Sequence, residues 1–103
     1  MELELKRIGQ LIAPWGGTRT SVEFFRKYRE AFGEVIKAEV TGDAECGLIL
    51  TNVNGDQMIL HQCTAGYGGE GPNGTKKILL EAGFDKEEVE SKVHSLESFE
   101  ISK

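Results

Sequence analysis

Apolar residues recur along this chain with two different periods, and the periods divide it into elements. In TSVEFFRKYREAFG (20–33), Val22, Phe25, Tyr28 and Phe32 fall three or four residues apart. That spacing predicts a helix with one apolar stripe. Thr20 and Glu23 have the spacing of a capping box, Gly33 is a stop signal, and Glu23–Lys27 and Arg26–Glu30 are spaced for helical ion pairs. Elsewhere the period is two. ELELKRIGQLI (2–12) alternates in part and reads as an opening strand, which Pro14, Gly16 and Gly17 interrupt. EVIKAEVT (34–41) sets Ile36, Ala38 and Val40 on one face of a second strand.

CGLILTNV and DQMILHQC flank Asn54-Gly55, a strong hairpin signal. A two-residue turn there sets Leu50 opposite Ile59, Leu48 opposite His61 and Cys46 opposite Cys63 on one side. Ile49, Met58 and Leu60 fall on the other, so both faces are apolar at the centre. Either helices cover both faces or a second copy of the chain covers one. A glycine-rich stretch follows, then a helix over roughly 75–82 stopped by Gly83, a short acidic helix N-capped by Asp85, and LESFEISK as an edge strand. The order β-α-β-β-β-α-α-β predicts an α+β fold: one antiparallel sheet with helices packed on it, in a single domain spanning 1–103.

Charge narrows the function classes. The chain of 103 residues carries a net charge of −5, which argues against generic binding to a nucleic-acid backbone. The distribution is uneven, because residues 1–30 sum to +2 and residues 31–103 to −7. All four arginines (Arg7, Arg19, Arg26, Arg29) lie in the first part, where an anion would be met. No apolar run has the length of a membrane span, and Met1 leads straight into ELELKRIGQLI without a signal-peptide pattern. A cytoplasmic protein with no membrane partner is expected.

The chemistry concentrates in CTAGYGGEGPNGTKKILLEAGF (63–84). GEGPNGTK resembles a P-loop only in outline. Thr75 precedes Lys76 where the motif wants lysine first, and Pro72 removes one amide from the cradle. GYGGEG (66–71) matches a bare dinucleotide fingerprint, but no parallel βαβ unit follows it. Exposed glycine amides, a helix N-terminus and lysines remain, and these together suit an anion. PWGGTRTS upstream repeats the grammar of an aromatic, glycines, a cation and hydroxyls at a helix start. The candidate ligand-binding residues are therefore Trp15, Arg19, His61, Tyr67, Gly68, Gly69, Gly71, Thr75 and Lys76. Both loops could instead be tight corners with core aromatics.

Cys46, His61 and Cys63 share one face in the two-residue register. They could hold a metal with His94 as fourth ligand, form a disulfide, or be two small buried residues beside a hydrogen-bonded histidine, which is the simplest account. The expected function is a non-catalytic protein, with no cofactor and no catalytic residues, that sequesters or senses an anionic ligand such as a nucleotide derivative and forms a homo-oligomer. One alternative is an acidic interaction module of the immunity-protein or antitoxin type, contacting a basic partner through residues 85–100. Another is a small enzyme acting on a phosphorylated substrate.

Overall fold

The computed structural model describes residues 9–43, 46–66 and 68–103. In chain order the elements are β1 (Gln10–Ile12), α1 (Thr18–Phe32), β2 (Val35–Val40), β3 (Leu48–Asn52), β4 (Gln57–Leu60), α2 (Glu70–Glu81), α3 (Lys86–Val93) and β5 (Phe99–Ser102). Most of the opening strand expected over 2–12 lies outside the described residues.

The five strands form one sheet in the order β1-β4-β3-β2-β5. Three of the four pairings are antiparallel, but β1 joins β4 in parallel. The sheet is therefore mixed, not antiparallel as the element order suggested. The cause is α1, which carries the chain back across the sheet so that β2 runs in the same direction as β1. A helical crossover of this kind is what parallel strands require.

The hairpin register also differs from the expected one, by a single residue. Leu48 pairs with Leu60, Ile49 with Ile59 and Leu50 with Met58. Asn52 N–H donates to Asp56 C=O at 3.0 Å and Gly55 N–H donates to Asn52 C=O at 3.0 Å, enclosing a three-residue loop. Gly55 closes it at φ 88°, a left-handed conformation that glycine adopts without steric cost. Asn52 selects the longer loop. Its buried side chain accepts the N–H groups of Asn54 and Asp56 at 2.9 Å each and donates to the Phe32 carbonyl at 2.7 Å.

The slip re-sorts every side chain of the hairpin, as a period of two dictates. Leu48, Leu50, Met58 and Leu60 now share one fully buried face. Ile49, Thr51, Gln57 and Ile59 share the other and are half-buried. All three helices bury their apolar stripes in the same core, through Phe25 of α1, Leu79 of α2 and Val89 of α3 among others. Among the described residues, helices therefore cover one face only. A register shift between Val35 and Lys37 turns Ile36 out to solvent, against the expected strand face, while Ala38 and Val40 stay buried.

Two helix starts differ from expectation. Helix α1 begins at Thr18, so Thr20 lies inside its first turn and donates to Gly16 C=O at 2.9 Å instead of forming a capping box. Helix α2 begins at Glu70, five residues before Thr75, with Gly71, Pro72 and Gly74 inside it. Pro72 is tolerated there because first-turn amides have no intrahelical acceptor. The acidic helix α3 starts as expected, with Asp85 accepting the Glu88 N–H at 3.0 Å, and β5 takes the sheet edge. No helix among the described residues is long and apolar enough to cross a membrane.

Candidate functional site

Helices α1 and α2 lie side by side and point the same way. At their N-terminal ends Gly74 meets Thr18, and a Cβ at Gly74 would collide with Thr18 Cγ2. Seven residues along α2, the Glu81 carboxylate accepts a bifurcated hydrogen bond from Arg26 Nε, 3.1 Å to each oxygen. Arg29 Nη2 donates to the Glu81 carbonyl at 2.7 Å, tying down the same end of the pair. Parallel neighbouring helices place their positive dipole ends together, an arrangement that repels itself and favours an anion between the starts.

A groove of about 640 Å³ opens there, floored by Thr18, Val22 and Gly74 and edged by Arg19, Glu23, Arg26, Gly69, Glu70, Asn73 and Lys77. Neither helix start is capped by a side chain. The N-cap residues are Gly17 at φ 96° and Gly69 at φ 154°. Three cations and two carboxylates border the groove. Arg19 is held by Glu23 at 3.4 Å, an exposed ion pair of little energy that a bound anion can displace at small cost. Arg26 is committed to Glu81. Hydrogen bonding by Arg26 is the main influence that lowers the Glu81 carboxyl below its ordinary value, and the charges of Arg26, Arg29 and Lys77 act in the same direction.

The two glycine-containing segments thus meet, through residues 17–19 and 69–74. Of the residues expected from sequence, Arg19 and Gly69 border the groove. Lys76 points elsewhere and reaches Glu90 of α3 at 3.3 Å, while Lys77, about 100° further round the helix, borders the groove. Thr75 is fully buried. Its hydroxyl donates to Thr64 C=O at 2.7 Å and to Gly71 C=O at 3.1 Å, so it serves the fold of the loop and does not face the groove. Gly71 is buried in the first turn of α2, and Gly68 is exposed beside open space. Tyr67 lies outside the described residues.

Trp15 and His61 form a separate pair. Their rings stack 4.1 Å apart at 9°, with Trp15 58% exposed and His61 buried beneath it. The backbone under His61 is fixed to α1 by Ser21 Oγ donating to His61 C=O at 2.8 Å and Thr18 Oγ1 donating to Gln62 C=O at 3.0 Å. Lys77 entered the sequence reading only as one of the lysines after Thr75, and Asn73 and Thr18 were not singled out, because the groove depends on where α1 and α2 begin.

The corrected register removes the opposition of Cys46 and Cys63, and no group of three or more metal-ligating side chains gathers among the described residues. Burial pushes the Cys63 thiol up to about 12, although hydrogen bonds with Ser21 and Thr75 act in the opposite direction. Such a thiol is not ionised at neutral pH and offers no nucleophile. Comparison with protein-family models, curated proteins and solved structures finds no match to this chain.

Proposed function

We propose that this chain is a non-catalytic binding protein that holds a small anion, of the phosphate or nucleotide class, at the paired starts of α1 and α2. The observation that carries this reading is the convergence of two parallel helix N-termini, neither capped by a side chain, on one groove bordered by Arg19 and Lys77. Backbone amides at both starts and the two cations would hold the charged group, and Asn73 would donate or accept at its rim. The acidic-module alternative draws less support. In its segment Glu88, Glu90 and Glu100 face Lys92, Lys76 and Lys37 of the same chain.

Thermal unfolding in the presence of inorganic pyrophosphate and of nucleoside mono-, di- and triphosphates tests the reading. A rise in Tm that grows with ligand concentration and shrinks with added salt is expected. No rise at millimolar ligand would overturn it.

A further inference from the structure

The two edges of the sheet are unlike. β5 carries Glu100 and is followed by Lys103, charges that blunt an edge against pairing. β1 carries Gln10, Leu11 and Ile12, and no charge. Its parallel ladder with β4 uses the Gly9 carbonyl, which accepts from Gln57 N–H at 2.9 Å, and the Ala13 N–H, which donates to Ile59 C=O at 2.9 Å. Between them the register gives both backbone groups of Leu11 to β4. The N–H and C=O of Gln10 and Ile12 therefore point away from the sheet, without partners among the described residues.

Beside this edge, α1 carries the partly buried rings of Phe24 and Tyr28, 4.7 Å apart, and Tyr28 lines a cleft with Gln10 and Leu11. Two clefts flank these rings, and Tyr28 borders both. One of about 400 Å³ lies between Leu11 and Tyr28, and one of about 420 Å³ between Pro14 and Phe24. Two outward donors and two outward acceptors define the occupant as an extended backbone.

We infer that the β1 edge pairs with the β1 edge of a second copy of this chain, making one continuous sheet across the dimer. The alternation suits a two-fold axis at Leu11. With strands antiparallel, Gln10 lies opposite the partner's Ile12 and exchanges both hydrogen bonds with it, and the reciprocal pair completes four. Leu11 then meets its own symmetry mate on the helix side, and each ledge of Phe24 and Tyr28 closes over the other chain's clefts. A short peptide would gain only the four hydrogen bonds, each modest in water. A second copy brings the same four and adds apolar burial at both ledges. The surface is distinct from the α1–α2 groove, and the inference stands whether or not that groove binds an anion.

Light scattering and amide hydrogen exchange on the full chain, followed over a dilution series, test this. The expected result is a particle of twice the chain mass whose Gln10 and Ile12 amides are slow to exchange. Their protection should fall in step with the mass on dilution, and more steeply than that of the Leu11 amide, which is bonded to β4. Ile12→Pro removes the outward N–H without touching the ladder to β4 and should weaken dimerisation at least tenfold. Gln10→Pro does the same from the other side of Leu11 and serves if the first variant is poorly folded. A chain that stays single at millimolar concentration overturns the inference. So does protection of Ile12 in the single chain, which would mean that the edge is covered from within, or a dimer that survives both substitutions unchanged.

Discussion

Thr18 Cγ2 lies against the backbone of Gly74, so closely that a Cβ at position 74 would occupy the same space. The helices that border the candidate groove are held at this distance by the absence of one methyl group. Gly74→Ala tests the contact against helix propensity. Alanine is favoured over glycine inside a helix by about 1 kcal/mol, whereas overpacking a fitted contact costs about 1–3 kcal/mol. The variant should lose stability in urea unfolding in spite of its better propensity. Adding Thr18→Ser, which deletes Cγ2 and keeps the hydroxyl bonded to Gln62 C=O, should recover most of the loss. Additive effects of the two substitutions would show that the residues do not touch.

The groove makes adjacent lysines unequal. Lys77 borders it and Lys76 is engaged with Glu90 on the far side of α2. Lys77→Ala should weaken pyrophosphate binding about tenfold, the loss of roughly one charge-assisted hydrogen bond. Lys76→Ala should leave the affinity within about twofold, a change too small to count as a lost contact. Calorimetric titration of both variants separates this site from one built on the order of residues alone.

Glu81 gives stability a pH dependence. Its carboxyl is lowered below the ordinary value, chiefly by the hydrogen bonds from Arg26. A group lowered on folding stabilises the folded chain above its unfolded value, and the contribution is lost as pH falls through the folded one. Acid unfolding should therefore include a component from this cluster as pH falls from the ordinary carboxylate value toward the lowered one. In Glu81→Gln the profile of Tm against pH should be flatter between about pH 5 and about pH 3, the span of carboxylate titration. An unchanged profile would show that the cluster is too well solvated to contribute.

The two thiols should react unequally. Cys63 is fully buried with its thiol held at about 12, whereas Cys46 is half-buried. With a thiol-specific chromogenic reagent at mildly alkaline pH, Cys46 should react first. Cys63 should follow only at the rate of unfolding, or at once in denaturant.

Much of the fold was legible because it is local. The stripe of Val22, Phe25 and Phe32 fixed the buried face of α1, and Asp85 marked the start of α3. The hairpin was visible at Asn54-Gly55, but its register was not. The choice between a two- and a three-residue loop rests on the bonds that the Asn52 side chain makes to Phe32, Asn54 and Asp56. The early start of α2 was hidden for a related reason. Gly71, Pro72 and Gly74 are poor helix residues in isolation, and close packing of Gly74 on Thr18 outweighs that preference. At the candidate site, the sequence pointed to Arg19 and Gly69, which border the groove, and to Thr75 and Lys76, which do not. Because α2 starts five residues early, its free first-turn amides lie near Glu70 and not beside Thr75 and Lys76.

The parallel pairing of β1 also bears on the order in which the chain folds. Hairpins β3–β4 and β2–β3 close short loops, but Gln10 finds Gln57 across 47 residues. The entropy of closing that loop comes due before the three-residue strand returns any contact. β1 should therefore dock last on a sheet already formed by its neighbours. By the same reasoning it should be the first strand to detach under native conditions, so that its outermost hydrogen bonds are the least costly place in the sheet to exchange one neighbour for another.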